Sequence, residues 1–353
     1  MGDRGVTSPA LLGCGEDLSQ RFGMIVMGPE SSLVRGLVEL LLRAALVGMF
    51  VTQVWAAGHR IKGRRFLPEA APRRVPWSWM GVVLVISLYL VLSLGVRVSY
   101  EWVRVAPAAP ALKPADEGAP AAQPAIPGNG LTFEEQLILV TAVNALAIVL
   151  VPLILRLSSG ATLEDLGLSL RHGRRDAFVG FVAFFLVAPW VYAVNAVAIL
   201  LFTPRHHPLE SMIREGLSPG VVGIAVVSAV IFAPAAEELI FRGVLLGWLS
   251  NPETPPSQSP HPVEGESPSL VEKPPPPSSD RLKVVPNEWT AIVASALPFA
   301  LVHMTEMPAP FAIFVLALAL GLLARRTGGL VAPLVLHGMF NGFSTMMLLA
   351  SML

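Results

Sequence analysis

The sequence predicts an all-α fold, a polytopic membrane helical bundle of about eight transmembrane helices. Three observations carry that prediction. Of 353 residues, 53% are hydrophobic and only 14% are charged, where a soluble chain carries about 25% charge. The mean hydropathy is +0.62. The apolar residues come in long continuous runs, whereas the strands of a membrane barrel alternate apolar with polar.

Runs long enough to cross a hydrocarbon core about 30 Å thick lie at roughly 33–55, 78–98, 136–157, 177–202, 219–248, 288–305, 309–324 and 330–351. The first carries Arg35, Glu39 and Arg43, an i,i+4 ladder near one end that reads as structural. Asn144 in the third and Asn195 in the fourth read the same way, as interhelical hydrogen-bonding groups. The fifth is long enough to tilt or to extend beyond the bilayer, and Pro234 bends it. Pro298 marks a kink in the sixth, while Gly338 and Gly342 let a neighbouring backbone approach the eighth.

Between these runs the chain divides into an N-terminal segment 1–32, two N-terminal spans with a basic loop (33–104), an Ala/Pro-rich linker (105–135) and a core of 136–353. The core is interrupted at 251–286 by a Pro/Ser-rich insertion containing Pro274-Pro275-Pro276-Pro277, a spacer composition. Asp3, Glu16 and Asp17 interrupt any early apolar run, so the N-terminus does not read as a signal peptide.

Lys+Arg and Asp+Glu both number 25, which argues against a nucleic-acid partner. A single cysteine, Cys14, rules out an intrachain disulfide, a cysteine zinc site and an iron–sulfur centre. Loop charge sets the orientation. Arg60, Lys62, Arg64, Arg65, Arg73 and Arg74 follow span one, Arg156, Arg171, Arg174 and Arg175 follow span three, and Arg325 and Arg326 follow span seven. The positive-inside rule puts these loops in the cytosol and the N-terminus outside. The expected location is the plasma (inner) membrane, with membrane lipids as neighbours.

Ionisable groups inside a span cost roughly 2.5–3.5 kcal/mol each at the bilayer centre on insertion scales, so they mark function. Span five holds Glu237, Glu238 and Arg242. Glu238 and Arg242, four apart, share a face and can pair, while Glu237 points about 100° away. Span six holds Phe299 and His303, and span eight holds His337 and Asn341, again four apart on one face. Scattered toward lipid these groups would be a large uncompensated cost, so a shared polar cavity is the cheaper arrangement. One tension stands: span five runs toward the basic side and span six away from it. Glu237 and His303 therefore meet only if span five tilts or extends into the cytosol.

These residues resemble the motifs of the CPBP family, the CAAX-prenyl-protease and bacteriocin-processing intramembrane endopeptidases. Glu-Glu-x-x-x-Arg stands as Glu237-Glu238 to Arg242, Phe-x-x-x-His as Phe299 to His303, and His-x-x-x-Asn as His337 to Asn341. The resemblance covers roughly 136–353 and implies an intramembrane peptide hydrolase. It implies Glu237 as general base on a water, His303 holding that water, and His337 with Asn341 stabilising the oxyanion. Glu238, Arg242 and Phe299 would support the site. No cofactor is implied, and the expected partner is a peptide or membrane-protein substrate, lipidated or not. Two other readings stay open. One is a zinc-dependent intramembrane protease, since a glutamate and two histidines are acceptable ligands, although no His-Glu-x-x-His is present. The other is a transporter or non-catalytic scaffold using the same polar cavity.

Overall fold

The computed structural model describes residues 29–62, 70, 73–105, 131–202, 219–251 and 288–350, and the regular structure among them is helical throughout. The helices are α1 (Pro29–Ile61), α2 (Trp79–Val105), α3 (Phe133–Ser159), α4 (Gly173–Leu201), α5 (Pro219 to Leu249, in five segments), α6 (Glu288–Leu301), α7 (Ala309–Thr327) and α8 (Val331–Ala350). Segment 1–28, most of the 105–135 linker, the 252–286 part of the insertion, Arg64, Arg65 and the loop pair His206-His207, in sequence a weak metal signal at best, lie outside the described residues.

Seven of these helices are long and apolar enough to cross a membrane. The exception is α6, expected over 288–305, which stops at Leu301 after 14 residues. At 1.5 Å per residue it is about 21 Å long, short of a 30 Å hydrocarbon core. Eight expected spans therefore become seven long helices and one short one.

Local sequence sets the ends. Thr132 and Glu135 form a reciprocal capping box at the start of α3, and Gly160 closes its last turn at φ 71°. Large apolar side chains of α1 and α2, among them Leu40, Val47, Phe50, Leu90 and Leu94, remain exposed, which is favourable against lipid and costly against water.

Two apolar cores result. One joins α2, α3 and α5 through Val85, Ala147, Val151, Leu155, Ala236 and Leu239. The other joins α1, α4, α7 and α8 through Met49, Phe184, Leu316, Leu320 and Leu336. Helix α5 connects them, packing against α2, α3, α6, α7 and α8. Its last turns pack beside the start of α6 and the end of α7, Leu246 and Leu249 clustering with Ala291, Ile292 and Ala324, and Gly243 is level with Leu166 and Leu330, just before α8. The end of α5 and the start of α6 thus lie together, and Glu237, twelve residues before Leu249, and His303, fifteen residues after Glu288, come to similar depths, which answers the tension between spans five and six.

Candidate active site

The polar centre is built on α5, whose hydrogen-bond register slips twice. Ser228–Phe232 and Leu239–Leu245 are π-helical and flank the α-helical turn Ala233–Glu238. Single π turns concentrate at functional sites because they re-aim side chains. The first slip has a visible cause. Pro234 has no N–H, and the Ala233 N–H bonds five residues back to the Ser228 carbonyl. The Ala229 carbonyl thereby loses both its usual and its π-register helical donors. Asn341 Nδ2 of α8 donates to it at 2.9 Å.

Glu238 and Arg242 pair as expected, Arg242 Nη1 donating to Glu238 Oε1 at 2.9 Å, and both are fully buried. The same Oε1 also lies 2.9 Å from His337 Nδ1. A carboxylate only accepts, so this contact puts a proton on Nδ1 and fixes the imidazole's orientation. His337 Nε2 then faces Glu237 Oε2 at 3.6 Å. That separation exceeds a direct hydrogen bond and suits one bridged by water. The Glu237 side chain is 28% exposed and His337 5%, so Glu237 is more accessible than the fully buried Glu238.

Arg242 is held from two further directions. Nη2 donates to the Ala317 carbonyl of α7 at 3.2 Å, and the guanidinium carbon stands 4.2 Å from the centroid of the Phe299 ring. Phe299 also lies between the imidazoles, with centroids 5.3 Å from His303 and 5.9 Å from His337. His303 sits just past the end of α6, its Nδ1 2.9 Å from the Phe299 carbonyl. The carbonyl accepts, so Nδ1 carries the proton and Nε2 is left with its lone pair in the neutral ring.

The structure thus links Glu237, Glu238, Arg242, Phe299, His303 and His337 through direct contacts or shared neighbours. Asn341 shares α8 with His337 but is tied to Ala229 rather than to either carboxylate. Gly338 permits the α8–α5 approach: a Cβ there would stand 2.9 Å from the Val230 carbonyl oxygen.

Two residues escaped the sequence reading. Tyr89 of α2 donates to Asn144 Oδ1 of α3 at 3.0 Å. Trp77 Nε1 donates to the Val244 carbonyl of α5 at 3.2 Å. A hydroxyl on an otherwise apolar stretch was the only signal for the first, and the second had none. Among the described residues no group of three or more His, Cys, Asp or Glu side chains is arranged to hold a metal ion.

Residues 219–343 match the family model described as Rce1-like, type II CAAX prenyl endopeptidase Rce1-like. The matched segment starts with α5 and contains all three motifs. Comparison with curated proteins and with solved structures gives no match.

Proposed function

We propose that this multi-pass membrane protein, whose segment 219–343 carries the Rce1-like CAAX endopeptidase signature, is an intramembrane endopeptidase that hydrolyses a peptide bond with a glutamate-activated water. The observation that carries the reading is the two-sided engagement of His337, Nδ1 on Glu238 at 2.9 Å and Nε2 toward Glu237 at 3.6 Å. A histidine oriented by a buried carboxylate and facing a second, more open one supplies the geometry that acid–base chemistry needs.

In this mechanism Glu237 takes the proton from a water that the free Nε2 of His303 helps to hold. The hydroxide attacks the scissile carbonyl, and the oxyanion accepts from Asn341 and from Nε2–H of His337 in its imidazolium form, whose Nδ1–H stays on Glu238. Asn341 has two amide hydrogens, of which the Ala229 carbonyl uses one. Glu237 then returns its proton to the leaving amine. Glu238 and Arg242 position His337 and do no chemistry themselves. The reaction uses no metal, so a chelator leaves the rate unchanged. The substrate is a peptide or membrane protein, lipidated or not, and the basic loops face the cytosol of the plasma (inner) membrane.

The test compares membrane proteomes of cells carrying the wild-type chain, Glu237→Ala or His303→Ala. New termini appear only with the wild type, while both variants accumulate in the membrane at wild-type levels. Full cleavage by either variant removes the mechanism, and solute uptake lost in Glu237→Gln without any cleavage by the wild type would favour a transporter.

A further inference from the structure

A second polar site lies at the basic end of the bundle, away from the carboxylates. Arg73 enters it from the segment before α2, Ser250 from the end of α5 and Arg325 from the last turns of α7, around a cavity of about 10 Å³ closed by Leu246 and Gly328. That volume is room for about one water-sized atom. Arg73 Nη1, Ser250 Oγ and Arg325 Nε are buried and have no hydrogen-bond partner. The three polar residues lining this small space, on three separate elements, thus each carry a buried polar atom without a partner, and a native fold rarely leaves such groups unmatched.

Charge sharpens the point. Burial, and next the charge of Arg325, draw Arg73 down to about 10, below the ordinary guanidinium value, while Asp165 partly opposes them. Asp165 is itself engaged by Thr162, its Oδ2 accepting from Thr162 N at 2.8 Å and Thr162 Oγ1 at 2.7 Å. Arg326 shows the contrast: it has its counter-ion, Nη2 donating to Glu288 Oε2 at 3.0 Å, whereas its neighbour Arg325 is turned into the cavity. The backbone makes room for this arrangement. Gly167 sits at φ 80°, and a Cβ there would overlap Arg73 Nη1.

We propose that this cavity is a binding site for a phosphate group, which presents one anionic oxygen between Arg73 and Arg325 and accepts from Ser250. Two guanidiniums around a one-oxygen space match a phosphate ester held from its exposed side, and basic pockets between transmembrane helices hold lipid headgroups in this way. The site also touches the catalytic helix. Arg73 Nη2 donates to the Arg242 carbonyl at 3.4 Å, within the π-helical segment that follows Glu238, so the occupant steadies the turn that carries the buried ion pair.

The experiment uses the full chain in an uncharged detergent and a gluconate buffer free of phosphate and chloride. Its thermal midpoint is followed by tryptophan fluorescence while inorganic phosphate is added, and separately while the protein sits in phosphate-free digalactosyldiacylglycerol bilayers doped with phosphatidylglycerol. Wild type and the exposed-surface control Arg174→Gln show a saturable upward shift, while Arg325→Gln needs at least tenfold more anion for half the effect. Response to inorganic phosphate identifies a free ion as sufficient, and response to phosphatidylglycerol alone identifies the headgroup. No saturable response to either, or the same titration curve in Arg325→Gln as in wild type, overturns the proposal. Should Arg325→Gln fail to fold, Arg325→Lys and Ser250→Ala give the same comparison, and curves unchanged in both overturn it.

Discussion

Replacing Arg242 with methionine should be among the most destabilising single changes in the core, for reasons that can be added up from its contacts. The guanidinium loses a 2.9 Å pairing with Glu238, a 3.2 Å bond to the Ala317 carbonyl and a 4.2 Å contact over the Phe299 ring. Breaking a buried pair by removing one partner costs about 3–5 kcal/mol, because the remaining charge stays buried. A desolvated cation–π contact adds about 2 kcal/mol at most, and these terms overlap rather than sum. The expected loss for Arg242→Met is about 4 kcal/mol. The double variant Glu238→Gln, Arg242→Met should lie within about 1.5 kcal/mol of wild type, since the Gln oxygen still accepts from His337 Nδ1 and no charge is stranded. Equilibrium unfolding of four proteins in mixed micelles (wild type, Glu238→Gln, Arg242→Met and the double variant), read by tryptophan fluorescence, gives the coupling energy directly. An Arg242→Met cost below about 1 kcal/mol, or a double-variant cost equal to the sum of the singles, would refute the claim that Glu238 depends on Arg242 for its charge.

Two further changes probe the contact between α8 and the first π segment. Gly338→Ala places a Cβ 2.9 Å from the Val230 carbonyl oxygen. It should therefore cost about 1–3 kcal/mol by overpacking and lower cleavage, despite alanine's better helix propensity; a rise in unfolding midpoint would show that the close approach is not needed. Asn341→Ala and Asn341→Asp both remove the donor to Ala229. Each should lose about 1–3 kcal/mol and, if the second hydrogen serves the oxyanion, about 10²–10³ in kcat with little change in KM; a kcat drop below about tenfold would take Asn341 out of the oxyanion hole.

The helices were legible because each is an apolar run, and lipid demands such runs whatever the tertiary packing. The pairing of Glu238 with Arg242 was legible for a similar reason, since four-residue spacing is a property of one helix. What was not legible joins residues far apart or depends on backbone register. His337 lies 99 residues from Glu238, and the 2.9 Å contact between them assigns Glu238 two partners where spacing suggested one. The π turns of α5 shift hydrogen bonds without altering composition, and Pro234 hinted only at a bend. Arg73 and Arg325 counted toward orientation as two charges among many, and nothing in the sequence distinguished Arg325, turned into a cavity, from Arg326, paired with Glu288.

The two departures from regular helix near the centre serve one purpose, and this accounts for the shortness of α6. A helix interior offers no free carbonyl, since each accepts from the residue four further on. Near the end of α6 the His303 N–H bonds instead to the Ala300 carbonyl at 3.1 Å, a 3₁₀ contact. The Phe299 carbonyl is thereby released, and the His303 imidazole takes it at 2.9 Å. On α5 the π slip at Ser228 and the missing N–H of Pro234 release the Ala229 carbonyl, and Asn341 takes it at 2.9 Å. In both places a break in backbone bonding creates an acceptor inside the membrane, where an unsatisfied carbonyl costs several kcal/mol. A polar side chain of the motif set meets that demand and is locked in orientation by doing so. A full-length α6 would keep the Phe299 carbonyl for itself and leave His303 free to rotate, so the truncation that makes it a poor membrane span is what fixes its histidine.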